Sequence, residues 1–459
     1  MDNYFDLLKR KKQIDFERRS LVGDVHESLF PFQRDCVEML MKVGRGAAFL
    51  DTGLGKTIIQ CEWARHVPGE VLFVAPLAVA HQTIEEAKSK LGMHIDYSKD
   101  GTVKGQFTIT NYERVENFDC ERFDGVVLDE SSILKGQNSK TKAMLCSRFA
   151  GATYKLAATA TPAPNDYTEL GNHAEFLGIM NTQEMLTRWF IHDSANTGDW
   201  RLKGHAVKPF WQWVASWAAC ASKPSDLGYS NEGYDLPSLN MITHQVETET
   251  KTAFDDGLLF EMPEMNATSL HRKKRDSVED RVQLVADMVN GNEKPWIVWC
   301  ESNQESELLA RAIPDAVEVK GSDSPEKKER DLIAFSEGEA RILISKSSIC
   351  GFGMNWQHCR NMVFASISYS YEKFYQAVRR SWRFGQTEQV DVHVVIADAE
   401  IPVWRTIEEK ATDHDAMKDH MKYAVFSKGE VSNVKIDYNP NKQCTLPAWL
   451  FEKNERTTQ

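Results

Sequence analysis

The segment Thr52-Gly53-Leu54-Gly55-Lys56-Thr57 follows an apolar run, GAAFLD at 46–51, and precedes a stretch of helical pattern that starts near Ile58. Glycines in such a turn let backbone N–H groups curl around phosphate oxygens, and a helix N-terminus directly after it adds a favourable dipole. Lys56 is placed to neutralise β- and γ-phosphates, and the Thr57 hydroxyl to ligate Mg²⁺, while Gly53, Leu54 and Gly55 form the cradle. The full pattern asks for Gly or Ala at position 50, where this chain has Leu50; G-x-G-K-T is intact.

A second candidate lies at Asp129-Glu130, which close the apolar run GVVLDE at 125–130. An acidic residue at the C-terminal end of a parallel strand faces the crevice where α/β sheets bind ligands. Asp129 is suited to hold Mg²⁺ through its water shell, and Glu130 to orient and deprotonate an attacking water. Alone, a DE pair reads as a solvated acidic turn. With a phosphate-binding turn upstream, it reads as the other half of a hydrolytic site.

These groups need elements that bring them together. GAAFLD, VLFVAP at 71–76, FTIT at 107–110, GVVLDE and YKLAAT at 154–159 are continuous rather than alternating apolar runs, the pattern of strands covered on both faces. They predict a parallel α/β sheet. A second alternation starts near residue 278 with PWIVWC at 295–300, a helix over Gln304–Ile313, AVEV, a helix over Glu326–Phe335, RILIS, NMVFA, a helix over Glu372–Trp382 and VDVHVVIA at 390–397. Two α/β lobes of similar size are therefore expected. The boundaries read as a charged N-terminal segment over 1–28, a first lobe over 29–240 with a mostly helical extension near 180–235, a linker over 241–277, a second lobe over 278–400, and a C-terminal helical extension and tail over 401–459. The extension carries Trp189, Trp200, Trp211, Trp213 and Trp217. One ring could stack on a base, but the W-x-W-x-x-x-W spacing puts Trp213 and Trp217 on one helical face, which favours packing.

Taken in order, the motifs over 29–397 resemble superfamily-2 helicases and translocases of the Swi/Snf-like branch. LFPFQRDCVEML is similar to the adenine-reading segment, with Gln33 as the base-contacting residue, and DTGLGKT resembles that branch's DEMGLGKT. VLFVAPLAVAHQTIEE and ITNYERV resemble its first and second DNA-contact motifs. DESSILKG resembles a DEAH-type box, ATATPAPNDYTELG the coupling motif (Thr159, Thr161, Pro162, Asn165), and YDLPSL the segment closing the first lobe. In the second lobe, PWIVWCESNQESELL resembles the opening segment. SSICGFGMNW resembles the glycine-rich strand-contact motif through Gly351, Gly353 and Asn355. QAVRRSWRFGQ resembles the arginine-finger motif through Gln376, Arg380, Arg383, Gly385 and Gln386. Three positions depart: SS stands in place of AH after Asp129-Glu130, Cys350 in place of a glycine, and Arg379 where a small or acidic residue is common.

The resemblance implies two tandem RecA-like lobes with an ATP cleft between them, ATP and Mg²⁺ as cofactors, and hydrolysis coupled to movement along DNA. It assigns catalysis to Lys56, Asp129, Glu130, Arg380 and Arg383, and the metal to Thr57 and Asp129. It assigns nucleotide contacts to Gln33, Gly53, Leu54, Gly55, Lys56, Thr57, Gly353 and Gln376, and coupling and DNA contact to Pro76, Thr110, Thr159, Thr161, Gly351 and Asn355. Duplex or branched DNA is the expected partner, as in branch migration, ahead of a single strand and of RNA, with protein partners of replication or recombination. Alternative readings are a single-strand-tracking helicase and an ATPase switch that displaces proteins without unwinding. The small size resembles phage or bacterial members.

Composition leaves this reading open and closes others. No run of about 18 apolar residues occurs, and the N-terminus MDNYFDLLKRKKQIDFERRS has no apolar core, so neither a membrane span nor a secretion signal is expected and a cytoplasmic location follows. Nine cysteines form no C-x-x-C pair, which suggests neither a zinc ribbon nor a dithiol centre and fits free thiols in a reducing compartment. The net charge of −12 argues mildly against nucleic acid, but groove-lining cations are a small share of all charges. Basic runs at Lys9–Lys12, Arg18–Arg19 and Arg272–Arg275 read as solvated faces.

Overall fold

The apolar runs become buried parallel strands. In the computed structural model, which describes residues 19–136, 139–192, 200–246, 277–350 and 355–426, the first region opens with helix α1 (Pro31–Val43) and strand β1 (Arg45–Leu50). There follow α2 (Lys56–Arg65), β2 (Val71–Ala75), α3 (Leu77–Leu91), β3 (Asp96–Tyr97), β4 (Phe107–Asn111), β5 (Gly125–Asp129), α4 (Lys140–Arg148) and β6 (Tyr154–Ala158). Helices α5 (Leu170–Leu177) and α6 (Thr182–Trp189) lead into an antiparallel hairpin of β7 (Phe190–His192) and β8 (Trp200–Leu202). Helix α7 (Val207–Val214) and β9 (Ala218–Ala221) close the region. The sheet runs β3-β4-β2-β5-β6-β1-β9, parallel throughout. Strands β2 and β5 are buried at every residue, as continuous Val/Leu runs require of strands with helices on both faces.

The second sheet holds β10 (Leu239–Val246), β11 (Trp296–Cys300), β12 (Ala316–Val319), β13 (Ile342–Lys346), β14 (Asn361–Phe364) and β15 (Val390–Ala397) in the order β10-β15-β14-β11-β13-β12, again parallel. Its longer helices are α8 (Val278–Asn290), α9 (Asn303–Ala312), α10 (Pro325–Ser336) and α11 (Tyr371–Val378), with one short turn of helix at Ser347–Cys350. The expected fold class, two tandem parallel-sheet lobes, is the one observed. Both lobes fall in one compact unit, Phe16–Gly429. The last described helix, α12 (Ile401–Phe426), leaves the second lobe and packs on α7 and β9 of the first.

Two expectations about the middle of the chain need correction. The stretch from 241 read as a linker begins inside β10, which pairs with β15 over eight residues, Leu239↔Val390 to Val246↔Ala397; the first lobe therefore ends before residue 239, not at 240. Its alternating exposure hid it, because an edge strand beside a polar face lacks the continuous apolar signature. The extension read as mostly helical contains the β7–β8 hairpin and β9, which adds an edge to the first sheet beside β1. Ala218–Ala221 has small side chains and little β-propensity, so tertiary pairing decides its state. The tryptophans pack: Trp189, Trp211, Trp213 and Trp217 are buried, with ring centroids 4.6 Å apart for Trp189–Trp213 and 5.3 Å for Trp213–Trp217.

Candidate active site at the seam between the lobes

The C-terminal ends of β1, β6 and β5 lie side by side, so the turn after β1, Thr159 after β6 and Asp129-Glu130 at β5 converge. Gly53 (φ 95°) and Gly55 (φ 81°) adopt left-handed backbone, which glycine reaches at no steric cost. Both are also in close approach: a Cβ on Gly53 would meet Phe384 at 2.6 Å, and one on Gly55 would overlap the Gln33 amide. The turn ends directly at Lys56, the first residue of α2, so its backbone N–H groups and the helix N-terminus face the same space. Lys56 Nζ donates to the carbonyls of Leu50 (3.0 Å) and Asp51 (3.4 Å). Burial lowers the Lys56 pKa, while Glu130, Asp51 and Asp129 hold the charge in place.

Asp129 is 8% exposed. Its Oδ1 accepts from Gln60 Nε2 at 2.8 Å, and its carbonyl accepts from the Tyr112 hydroxyl at 2.6 Å. Burial raises its carboxyl, opposed by the Gln60 hydrogen bond and by Lys56. Glu130, at φ 53° and ψ 53°, is the only non-glycine residue with positive φ among those described. Such backbone costs about 1–3 kcal/mol and persists where surroundings enforce it. Thr159 Oγ1 donates to Glu130 Oε2 at 3.3 Å. Burial pushes the Glu130 carboxyl up to about 7, with Asp129 adding to the rise and Lys56 and Arg380 opposing it. That is the range a general base needs near neutral pH.

From the second lobe, α11 and the turn after it present three arginines. Arg380 is 5% exposed and its Nε donates to the Gln376 carbonyl at 3.0 Å; burial and then Arg383 push it down to about 10, with Glu130 pulling the other way across the seam. Arg383 is lowered by burial and by Arg379. Arg379, marked in the sequence only as a departure, makes the direct contact: its Nη2 donates to the Thr52 carbonyl at 2.8 Å and lies 3.6 Å from Asp51 Oδ1. Lys135 of the first lobe pairs with Glu372 of α11.

The other anticipated residues divide. Gln33 is buried against the turn, accepting from Phe30 N at 3.0 Å and donating to Leu54 O at 3.1 Å. Gln376 is buried, and its Nε2 meets no acceptor among the described residues. Pro76 caps the start of α3, and Asn355 is exposed. Thr110 and Thr161 are fully buried; the Thr110 hydroxyl donates to Ser98 O at 2.9 Å and the Thr161 hydroxyl has no partner among the described residues. Neither side chain faces solvent. Gly351 and Gly353 lie outside the described residues, as do the basic runs at 9–12 and 272–275. Sequence reasoning missed Gln60, Tyr112, Asp51, Tyr375 and His173, the last of which reaches Ser131 Oγ at 3.1 Å just after the DE pair.

The residues fit a nucleotide with Mg²⁺: two glycines where any Cβ would obstruct, a lysine in the turn, and a buried carboxylate facing it. No group of three or more His, Cys, Asp or Glu side chains placed to hold a metal ion occurs among the described residues. No described helix is long and apolar enough to cross a membrane.

Residues 261–385 match the family described as helicase conserved C-terminal domain. The chain is 27% identical over 203 residues to the human DNA excision repair protein ERCC-6-like, and 26% identical to its mouse counterpart. Each match spans 36% of this chain and 16% of the relative's length. A solved fragment described as an HsdR subunit of a type I restriction enzyme from Vibrio vulnificus shares the fold, with a TM-score of 0.53 at 14% identity over 83% of this chain and 66% of that one.

Proposed function

We propose that the chain is a superfamily-2 helicase of the Swi/Snf-like kind, a reading the helicase C-terminal match and the ERCC-6-like relatives support, and that it is a DNA-stimulated ATPase that translocates on duplex or branched DNA. The observation that carries the reading is convergence: Arg379 of the second lobe donates to the Thr52 carbonyl of the nucleotide turn at 2.8 Å, and Glu130 of the first lobe and Arg380 of the second each feel the other's charge across the seam.

In this reading the turn 52–57 binds the triphosphate, and Lys56 leaves the Leu50 and Asp51 carbonyls for the phosphates. Thr57 and Asp129 would hold Mg²⁺, which supplies charge neutralisation on the phosphate oxygens. Glu130 takes a proton from water as the water oxygen attacks the γ-phosphorus. The bond from that phosphorus to the β-bridging oxygen breaks, releasing ADP and phosphate. Arg380 and Arg383 stabilise the charge on the transferring group, since the guanidinium fork binds phosphate oxygens in pairs. Thr159, bonded to Glu130 at 3.3 Å, links the base to the motif after β6, so hydrolysis and lobe movement share a hydrogen bond. Backbone contacts to DNA phosphates imply low sequence specificity.

The deciding experiment measures ATP hydrolysis by the full chain with single-stranded, duplex, forked and four-way-junction DNA and with RNA, alongside triplex displacement. Stimulation by duplex or junction DNA together with triplex displacement supports the proposal. Hydrolysis indifferent to every nucleic acid overturns it.

A further inference from the structure

Asp51 is the point where three parts of the molecule meet. Its main chain belongs to the first lobe: its N–H donates to Ala221 O at 3.0 Å, and its carbonyl accepts from Leu54 N–H at 3.3 Å and from Lys56 Nζ at 3.4 Å. Its carboxylate turns back to accept the Thr52 N–H at 3.1 Å. The nucleotide turn is thus wound around this residue. The same carboxylate is held from outside that lobe. Arg379 Nη2 lies 3.6 Å from Oδ1, Lys418 Nζ of α12 lies 3.0 Å from Oδ2, and the Tyr375 hydroxyl donates to Oδ1.

Arg379 is itself fixed in place. Its guanidinium lies over the rings of Trp382 (4.9 Å) and Tyr375 (5.7 Å), and the Trp382 indole donates to Pro237 O at 2.8 Å. Its remaining reach goes to the Thr52 carbonyl. Asp51 is 8% exposed and Arg379 3% exposed, so the pair is shielded from solvent, and the loss of either leaves a buried charge. Burial alone would raise the Asp51 carboxyl; Arg379, Lys418 and the Tyr375 hydrogen bond hold it far below the usual range instead.

We infer that Asp51 and Arg379 are a cross-lobe positioning pair that keeps the nucleotide turn ordered only while the second lobe is seated, with Lys418 extending that control to the C-terminal helix. An ion pair serving as glue would do its work anywhere in the interface. This one ends on the residue whose carbonyl rests on Lys56 and whose carboxylate caps Thr52. The catalytic part of the inference rests on the ATPase reading; the ordering of the turn does not.

The test compares the full chain with Arg379→Met, Arg379→Lys, Asp51→Asn, Lys418→Met and the double variant Asp51→Asn with Arg379→Met. In the nucleotide-free protein, amide exchange at 52–54 should accelerate at least about tenfold in Arg379→Met and Asp51→Asn while exchange in β2 and β11 stays unchanged. In DNA-stimulated hydrolysis, kcat should fall about tenfold or more with KM for ATP within about threefold, because the pair acts with the lobes closed. Arg379→Lys should recover to within about threefold, and the double variant should be no worse than either single one. Unchanged exchange at the turn, or losses that multiply in the double variant, overturns the inference. Should the wild-type chain hydrolyse no ATP, the ATPase reading fails while the exchange measurement still decides the pair.

Discussion

Glu130 sits in left-handed backbone beside Asp129, with a carboxyl that burial lifts to about 7. A base is active only when ionised, so the protonated fraction grows as pH falls through that value. DNA-stimulated kcat should therefore climb from about pH 6 and level off near about pH 8, and a pH–rate profile flat across that window would remove Glu130 from the role of base. Glu130→Gln, which keeps size and removes basicity, should lower kcat by about 10²–10⁴ while nucleotide still binds. Lys56→Ala should abolish hydrolysis in a folded chain, as read by steady-state ATPase activity and circular dichroism. Arg380→Ala should cost about 10³–10⁵ in kcat, the range seen for arginines that stabilise phosphoryl transfer. Lys56, Thr57, Asp129 and Glu130 could be singled out in the sequence because each belongs to a short motif that ends or directly follows an apolar strand. Gln60, Tyr112, Asp51 and His173 could not. Their roles come from partners 69, 17, 324 and 42 residues away, and no local pattern encodes such distances.

Among the elements, α7 and α12 decide how the first lobe meets the C-terminal helix. Trp213 is 1% exposed and lies among Trp189, Phe210 and Trp217. Trp213→Ala should lower unfolding stability by about 3–5 kcal/mol, measured in urea, with no loss of DNA affinity per folded molecule. Trp213→Phe should cost much less, because the indole N–H of Trp213 meets no acceptor among the described residues and only ring area is lost. A large loss of DNA affinity in Trp213→Phe would revive the stacking role. Helix α12 spans both lobes: Lys410 donates to Asn165 Oδ1 at 3.0 Å and Tyr369 O at 3.2 Å, the Tyr167 hydroxyl donates to Asp413 O at 3.2 Å, and His420 stacks on Trp211 at 5.6 Å. The strands with continuous apolar runs were readable to within a residue or two. β9 and β10 were not, because their state is set by a pairing partner rather than by composition.

For the molecule as a whole, the net charge of −12 means that a DNA track must be a local basic surface on an acidic body. Binding through phosphates releases counterions, so stimulation of ATPase activity by DNA should fall steeply between about 50 and 200 mM salt while basal hydrolysis changes little. Stimulation insensitive to salt would exclude a phosphate track. The connectivity carries a further consequence. The chain enters the second sheet on β10 and leaves it on β15, which are adjacent strands in register from end to end, and α12 then returns to β9 and α7. Residues 239–397 are therefore a cassette spliced into a first-lobe scaffold, and because β10 and β15 run parallel its entry at Leu239 and its exit at Ala397 lie at opposite ends of the paired strands, about 23 Å apart at the rise of a parallel strand. A chimera that grafts this cassette from a related protein must fit two junctions separated by the length of a strand, and it inherits whatever side chain the donor carries at position 379 to face the host's Asp51.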